Sequence, residues 1–279
     1  MNLALMQAQK NLGNTKKNPS VGCVIVKDNY IISAGCTGLN GTPHAEQNAI
    51  FHSKVNIKNS DLYVTLEPCT HYGKTPPCVK KIIKNKIGKV FFSLKDPDLR
   101  TYNKSTNLLK KNNIITKNGI LISDTKNFYK SYLKFKKNTL PFVTAKMAIS
   151  KDYFTCNNKS KWITNTFSRG RVHLMRSKHD CILTSINTIL DDNPELTCRI
   201  SGLENRSPSR IILDKNLQIP YSSNIVKSAK KYKTIIFFNK INNKKIKTLK
   251  NLKIKLIKTS LGKDGNFDLK NILLKIKLL

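Results

Sequence analysis

The first half of the chain alternates between two patterns of hydrophobic and polar positions. Apolar residues recur at helical spacing in MNLALMQAQK, whereas the β-branched runs NPSVGCVIVKDN and YIISAG, with turn residues between them, predict a hairpin. A helix is predicted to begin near His44, behind Thr42 and Pro43. Further strands are predicted at DLYVTLEP, KVFFSLKDP and NIITKNG, and further helices at PPCVKKIIKN, STNLLKKNN and DTKNFYKSYLKF. Strands separated by helices indicate a layered α/β domain.

A second unit is predicted to begin around KKNTLPFV, where the charged end of a helix meets a proline and a new apolar run. We therefore place one domain at residues 1–139 and another at residues 140–279. In the second domain, strands are predicted at PFVTAKMAIS, CILTSINTIL, SRIILD, KTIIFF and LKIKLIKT, and helices at WITNTFSRGRVHLMRSKHD and FDLKNILLKIKLL.

The composition favours a reducing, aqueous compartment. Seven cysteines in 279 residues are too few for a disulfide scaffold, and an odd number cannot all pair. The N-terminus has neither the long apolar run nor the small-residue cleavage site of a signal peptide. No stretch approaches the roughly 18 apolar residues that a membrane span requires. We expect a cytoplasmic protein that has no membrane partner.

The formal net charge of +35 has two interpretations. A strongly basic balance is common in proteins that bind nucleic acid. Here, however, the lysines are spread through every segment together with many asparagines and isoleucines, the residues that AT-rich codons encode. We favour compositional drift, so nucleic acid is not an expected partner, although a phosphorylated substrate would be attracted in either case.

Four residues form a pattern that suits zinc chemistry. His44 and Glu46 occur in the sequence HAE, and Cys69 and Cys78 bound the stretch CTHYGKTPPC. One imidazole and two thiolates give a zinc ion three protein ligands and an open fourth position, where a bound water loses a proton near neutral pH. Glu46 could then move protons from that water to a ring nitrogen and a departing amine. Zinc-dependent base deaminases divide the roles in this way.

The spacing of the two cysteines adds a second expectation. Cys78 is predicted to open a helix after Pro77, where the helix dipole favours a thiolate. Eight residues separate the cysteines, instead of the two that are usual in deaminases, so THYGKTPP is predicted to be an insertion that contacts the substrate. A structural zinc site would have four protein ligands and no use for Glu46. The other five cysteines lack such spacing and are interpreted as packing residues.

Two other hypotheses follow from the residues alone. The high charge would suit a deaminase that acts on a nucleic-acid base, and such an enzyme would show strongly salt-dependent binding. A non-catalytic basic binding protein that retains a relic zinc site would bind metal without deaminating anything.

The runs NPSVGCVIV, GTPHAE and LYVTLEPCTHYGKTPPC resemble the bacterial bifunctional riboflavin biosynthesis family, RibD. PFVTAKMAIS, KWIT and INTILDDNPELTCR resemble the reductase portion of the same family. The resemblance implies a cytidine-deaminase-like three-layer α/β/α domain, followed by a dihydrofolate-reductase-like α/β domain through which the protein self-associates. The implied deamination converts 2,5-diamino-6-(5-phosphoribosylamino)pyrimidin-4-one to 5-amino-6-(5-phosphoribosylamino)uracil, and the implied reduction converts the ribosyl group to ribityl with NADPH.

The resemblance also implies a role for each matching residue. In the deaminase half, zinc would be bound by His44, Cys69 and Cys78, protons would be moved by Glu46, and the substrate would be contacted by Asn18, His71 and Lys74. In the reductase half, NADPH would be bound by Ala148, Trp162, Thr188 and Asp192, and the substrate by Ser160, Arg176, Leu196 and Arg199.

The reductase half departs from the family in three places. Tyr153 and Lys215 stand where glycine and serine are usual, and the chain ends at Leu279, before the strand and Gly-Gly turn that meet the NADPH phosphates in the family. A glycine-rich turn at a helix start is a natural phosphate cradle. We therefore expect a reductase-like domain that is truncated at its C-terminus, and deamination is the activity that the sequence implies more strongly.

Overall fold

Two separate β-sheets organise the chain. The computed structural model describes residues 1–73, 75–137, 140–155 and 162–279, and these fall into two units, Met1–Phe142 (unit 1) and Val143–Leu279 (unit 2). Each unit contains one sheet. No helix in the described part of the chain combines the length and the hydrophobicity needed to cross a membrane.

Unit 1 is built on a mixed five-stranded sheet. Its strands are β1 (Gly22–Lys27), β2 (Tyr30–Cys36), β3 (Asp61–Leu66), β4 (Lys89–Leu94) and β5 (Ile115–Asn118), and its helices are α1 (Asn2–Gln9), α2 (Ala45–His52), α3 (Cys78–Lys84), α4 (Lys104–Lys110), α5 (Ile122–Phe128) and α6 (Lys130–Lys137). The strand order is β2-β1-β3-β4-β5. β1 is antiparallel to β2 and β3, whereas β3, β4 and β5 are mutually parallel.

Two glycines show that helices cover both faces of this sheet. A side chain at Gly22 would overlap the carbonyl oxygen of Ala4 in α1, and a side chain at Gly35 would overlap backbone atoms of α2. Gly35 pairs with Cys23, the residue next to Gly22. Because adjacent residues of a strand point to opposite faces, α1 and α2 lie on opposite sides of the sheet, as the predicted three-layer arrangement requires.

Unit 2 is built on a four-stranded, fully parallel sheet. Its strands are β6 (Cys181–Ser185), β7 (Ser209–Leu213), β8 (Thr234–Phe238) and β9 (Lys255–Lys258), in that spatial order, and its helices are α7 (Thr166–Arg176), α8 (Ile186–Asp192), α9 (Asn224–Lys227), α10 (Asn243–Asn251) and α11 (Leu269–Leu278). Its two faces carry separate apolar clusters, one around Ile212, Ile236 and Phe238 and the other around Ile211, Phe237 and Ile272. Burial on both faces is typical of parallel sheets.

The structure corrects several predicted elements. Residues 141–150 were predicted to form a strand, but they belong to no ladder among the described residues. An apolar run becomes a strand only when its backbone pairs with a neighbour. CILTSINTIL is not one strand, because β6 ends at Ser185 and the same run continues as α8. A short apolar run cannot be divided into strand and helix from its periodicity alone.

Besides α8, two helices of unit 2 were not predicted. α10 is dominated by lysine and asparagine, and its core contact depends on the buried Leu249. Its start is marked by Asn242, whose side chain accepts a hydrogen bond from the backbone N–H of Lys245. α9 has only four residues, too few for a periodic pattern to emerge.

Candidate active site

The three predicted zinc ligands stand at the ends of three elements of unit 1. His44 immediately precedes α2, Cys69 follows the carboxyl end of β3, and Cys78 is the first residue of α3. Element ends leave backbone N–H groups free, and one of them is used here, since the N–H of Cys78 donates to Cys69 Sγ at 3.3 Å. The first residue of α3 thus holds the Cys69 sulfur close to Cys78.

The distances between the side chains fit one ion. His44 Nδ1 lies 3.3 Å from Cys78 Sγ and 3.5 Å from Cys69 Sγ, and all three ligand atoms lie within 4.8 Å of one another. Tetrahedral zinc with ordinary bond lengths separates nitrogen from sulfur by about 3.6 Å and two sulfurs by about 3.8 Å. The donor set of one imidazole and two thiols is also one that zinc prefers, so these residues fit the metal.

The surroundings of Cys69 favour its thiolate. Hydrogen bonds from the thiol of Cys78, from His44 and from the Cys78 N–H hold the pKa of Cys69 well below its usual range, although its partial burial acts in the opposite direction. The hydrogen bond to Cys69 in turn raises the pKa of His44. A thiolate is the form of cysteine that ligates a metal. The polypeptide therefore provides a negatively charged ligand at this point.

Glu46 lies beside these ligands and is almost completely buried, with 4% of its surface exposed. Burial, and next the charge of Cys69, raise the pKa of Glu46 to about 7. Its carboxyl group also forms a hydrogen bond with Cys78. A buried carboxyl group that titrates near neutral pH can both accept and return a proton. The position of Glu46, in the first turn of α2, suits the predicted proton shuttle.

Of the three predicted substrate-contacting residues of unit 1, the structure describes Asn18 and His71. Asn18 lies in the loop before β1, where its side-chain amide donates to the carbonyl oxygen of Gly41 at 2.9 Å. His71 follows Cys69 by two residues, and its Nδ1 lies 3.1 Å from Thr101 Oγ1. Lys74 lies outside the described residues. Asn18 and His71 therefore remain predicted contacts, and each has a structural partner on a neighbouring loop.

Sequence reasoning missed two buried groups close to this site. Glu67, in the EPC sequence, is 3% exposed, and its carboxylate accepts hydrogen bonds from residues of the loop after β4 and the start of α4. Tyr129 is 2% exposed, and its hydroxyl lies 2.6 Å from Thr65 Oγ1 and donates to the carbonyl oxygen of Ser20 at 2.9 Å. The only sequence signal for Glu67 was an acidic residue directly after an apolar strand; acidic residues are seldom buried without partners, but nothing in the sequence identified those partners.

In unit 2, two predicted substrate residues meet around one short segment. The Nη1 of Arg176 donates to the carbonyl oxygen of Thr197 at 3.0 Å, and the backbone N–H of Arg199 lies 3.2 Å from His173 Nδ1. Leu196, the third predicted residue, is buried beside them with a left-handed backbone. Burial and then the nearby Arg199 lower the pKa of Arg176. The cluster carries excess positive charge.

Arg176 retains hydrogen-bonding capacity in this cluster. Its buried Nε has no hydrogen-bond partner among the described residues. The guanidinium of Arg199 is partly exposed and pairs with Glu195, Nη1 to Oε2, at 3.2 Å. A buried guanidinium N–H without an acceptor is costly. An anionic group is therefore the kind of ligand that this cluster would accept.

The other predicted residues of unit 2 are spread over several elements. Ala148 lies in the segment 141–150. Trp162 is largely exposed, and the guanidinium of Arg169 stacks on its ring, with the guanidinium carbon 4.6 Å from the ring centre. Thr188 and Asp192 are four residues apart on α8 and so share one of its faces. Ser160 lies outside the described residues.

Two family models match this chain. Residues 1–94 match the cytidine and deoxycytidylate deaminase zinc-binding region, and residues 141–277 match the RibD C-terminal domain. The first match includes all three residues of the His44, Cys69 and Cys78 group. Both matches agree with the predicted fold class of their units.

Curated relatives and solved structures extend this similarity. The riboflavin biosynthesis protein RibD of Aquifex aeolicus is 36% identical over 279 residues, which cover 99% of this chain and 76% of that protein. RibD of Bacillus amyloliquefaciens is 40% identical over 228 residues, covering 81% of this chain and 61% of that protein. The Thermotoga maritima diaminohydroxyphosphoribosylaminopyrimidine deaminase/5-amino-6-(5-phosphoribosylamino)uracil reductase superposes with a TM-score of 0.86 at 30% identity, covering 100% of this chain and 76% of that one.

Proposed function

Because this chain belongs to the RibD family of riboflavin biosynthesis proteins, we propose that unit 1 is a zinc-dependent deaminase of that pathway. Its substrate would be 2,5-diamino-6-(5-phosphoribosylamino)pyrimidin-4-one, and its product 5-amino-6-(5-phosphoribosylamino)uracil. The observation that carries this proposal is the convergence of His44, Cys69 and Cys78 next to the buried carboxyl group of Glu46.

In the proposed reaction the polypeptide holds the metal and moves the protons. Zinc, when bound by the three ligands, makes a nucleophile available from water at neutral pH. Glu46 accepts a proton on its carboxylate and delivers it to the pyrimidine ring, and a second transfer allows the amine to leave as ammonia. Because Glu46 is buried, it is shielded from bulk water during both transfers.

The substrate contacts are assigned by the same proposal. Asn18 offers a donor and an acceptor to the edge of a pyrimidinone, and His71 lies on the insertion between the two cysteines. Lys74, which the resemblance also assigns, would suit the phosphate.

A pair of variants tests the deaminase. Cys69→Ser is expected to lose zinc and deamination together, because a hydroxyl replaces a thiolate ligand. Glu46→Gln is expected to keep zinc and to lose about 10²- to 10⁴-fold in kcat, the usual contribution of a general acid–base group. Zinc would be measured by elemental analysis and deamination by ammonia release. Cys181→Ser, which changes a half-buried cysteine of unit 2, is the matched control for Cys69→Ser.

Two results would overturn this assignment. Full turnover in Glu46→Gln would contradict the role of Glu46 as proton shuttle. A zinc-loaded parent protein that releases no ammonia from the pathway intermediate would contradict the deaminase assignment.

We also propose that unit 2 carries the reductase activity, with NADPH as the reductant. In this proposal Arg176 and Arg199 bind the phosphate of the deaminated product, which would supply the acceptor that the buried Arg176 Nε lacks. Leu196 and Ser160 would complete the substrate contacts. The cofactor would be bound by Ala148, Trp162, Thr188 and Asp192.

Titration of the full chain with NADPH tests the second activity. A saturable change in cofactor fluorescence at micromolar NADPH, followed by oxidation when the deaminated product is added, is the expected result. Absence of binding at millimolar NADPH would overturn the reductase proposal and leave the deaminase proposal intact.

The same family membership supports two further proposals. The protein would act in the cytoplasm, and it would self-associate through unit 2. Light scattering of the purified chain is expected to give a multiple of the 31.7 kDa chain mass, and a strictly monomeric mass would contradict self-association.

A further inference from the structure

The parallel pairing of β3 and β4 brings two connections together at one edge of the sheet in unit 1. Carboxyl ends of parallel strands lie side by side, so the residues after Leu66 adjoin the residues after Leu94. The backbone N–H of Glu67 donates to the carbonyl oxygen of Leu94 at 2.8 Å, which extends the pairing by one residue. The turn that carries Cys69 therefore runs beside the β4–α4 loop, residues 95–103.

Glu67 is saturated by donors from this loop and the start of α4. Its Oε2 accepts from the backbone N–H groups of Asp96 and Asn103 at 3.3 and 3.2 Å. Its Oε1 accepts from the backbone N–H and the hydroxyl of Ser105 at 3.3 and 2.7 Å. Glu67 is 3% exposed and Ser105 is fully buried. One buried carboxylate thus fixes both ends of the β4–α4 loop.

The middle of the same loop contacts the residues on the other side of Cys69. The hydroxyl of Thr70 donates to the carbonyl oxygen of Arg100 at 2.8 Å, and His71 Nδ1 lies 3.1 Å from the hydroxyl of Thr101. Thr101 is completely buried. The Cys69 turn is therefore bound to the β4–α4 loop by Glu67 before the cysteine and by Thr70 and His71 after it.

We propose that Glu67 is a positioning residue that shapes the substrate site through the β4–α4 loop. By holding the two ends of the loop, it places Thr101 where that hydroxyl contacts the His71 ring, two residues after Cys69. This inference rests on the proposed deaminase function, in which His71 contacts the substrate. Glu67 itself does not need to touch substrate or metal.

The variant Glu67→Gln tests the proposal with little change in volume. A glutamine amide keeps one acceptor oxygen but presents an NH₂ group to donors that now lack an acceptor. Buried donors without acceptors destabilise the arrangement that holds them. We expect zinc content equal to that of the parent, KM raised about tenfold or more, and kcat changed less than KM. We also expect faster hydrogen exchange at the amides of Asp96, Asn103 and Ser105.

Thr101→Val keeps the proposal testable should Glu67→Gln fail to fold. It removes only the hydroxyl that meets His71, and it is expected to raise KM about three- to tenfold while the three amides stay protected. In the double variant KM should stay within about twofold of that of Glu67→Gln, because the two residues act through one contact.

Leu99→Ala is the matched control on the same loop. Leu99 is 82% exposed, and a substitution at an exposed position away from specific contacts costs little. Its KM is expected to stay within about twofold of that of the parent.

Three outcomes would overturn the proposal. The first is a parental KM in a folded Glu67→Gln protein, and the second is additive effects of the two substitutions on KM. The third is loss of zinc from Glu67→Gln, which would show that Glu67 supports the turn that carries the metal ligand Cys69. A zinc-loaded parent without deaminase activity would instead refute the proposed function. Hydrogen exchange would then decide whether Glu67 holds the loop, and unchanged amide protection would reject that too.

Discussion

Unit 1 and unit 2 hold their candidate functional groups in different ways. In unit 1, His44, Cys69 and Cys78 contact one another directly, and hydrogen bonds between them support the charge of a thiolate. In unit 2, Arg176 and Arg199 meet around Thr197, where burial and then the charge of Arg199 lower the pKa of Arg176. The first site is prepared for a cation by its own partners, whereas in our proposal the second is completed by an anion.

Two arginines of unit 2, Arg210 and Arg176, differ in whether the described part of the protein satisfies all of their hydrogen-bond donors. Arg210 is completely buried, yet its guanidinium is satisfied by the protein itself. Its acceptors are the carbonyl oxygens of Glu195, Ile225 and Tyr232 and the hydroxyls of Ser228 and Thr234. Arg176 has a buried Nε without an acceptor. An arginine whose donors are all used is structural, and one with a donor to spare is a candidate for binding.

The largest expected effect is the loss of unit 1 chemistry in Cys78→Ser. This residue ligates the metal in our proposal, and its thiol is one of the three ligand groups that lie together. We expect the zinc content to fall below about one tenth of the parental value, since binding of a d¹⁰ ion depends strongly on its thiolate ligands. Deamination should be lost with it, while NADPH binding by unit 2 should be unchanged. Equal loss of NADPH binding would show that the two units do not function separately.

The next largest effect is expected on stability, in Arg210→Ala. Removing the side chain leaves buried carbonyl oxygens without donors and opens a cavity, so the free energy of unfolding of unit 2 should fall by about 3 kcal/mol or more. The chain has one tryptophan, Trp162, and it lies in unit 2. Denaturant titration followed by its fluorescence would measure the loss. Arg171→Ala, at an exposed position of α7, is the control and should be neutral within about 0.5 kcal/mol.

A smaller, functional effect is expected in Arg176→Ala. If this guanidinium binds the phosphate of the reductase substrate, KM for the deaminated intermediate should rise about 10- to 100-fold, as for loss of a charge-assisted hydrogen bond. The unfolding free energy should change much less than in Arg210→Ala. The same Arg171→Ala variant serves as the control. An unchanged KM would contradict the distinction between the two arginines.

The smallest effect is expected in Tyr129→Phe, which removes one buried hydroxyl from unit 1. The hydroxyl links Thr65 in β3 with the carbonyl oxygen of Ser20 before β1, and its loss should reduce the free energy of unfolding by about 1–2 kcal/mol. Hydrogen exchange at the β3 amides would report this change. Tyr63→Phe, whose ring stacks on Phe91 at 4.7 Å, keeps the ring and should have no measurable effect. A loss of zinc in Tyr129→Phe would show that this network also supports the metal site.

Much of the metal site was predictable because its members carry recognisable chemistry. His44, Glu46, Cys69 and Cys78 are residue types that zinc and proton transfer require, and their spacing to a helix start and a strand end was readable from the sequence. Glu67 could not be assigned in this way. Its partners are mainly backbone N–H groups of a loop about 30 residues later, and a backbone donor leaves no mark on residue identity.

The elements of unit 2 show the same limit in the fold. Parallel strands such as β7 and β8 were readable because both of their faces are apolar. The segment 141–150 has comparable apolar content but no ladder among the described residues, because a strand depends on a neighbour as well as on its own side chains. The change from β6 to α8 at Ser185 lies within one apolar run, where local pattern favours neither element.

The amino-acid sequence by itself determined the family and the order of most elements, and it singled out the groups that our proposal assigns to zinc binding and proton transfer. Each of these depends on side chains that are close in sequence or that carry distinctive chemistry. Only the tertiary structure decided which loop lies beside Cys69, which arginine is saturated and which is not, and where apolar runs become strands. Those properties depend on which buried donors and acceptors meet, and distant parts of the chain meet only after folding.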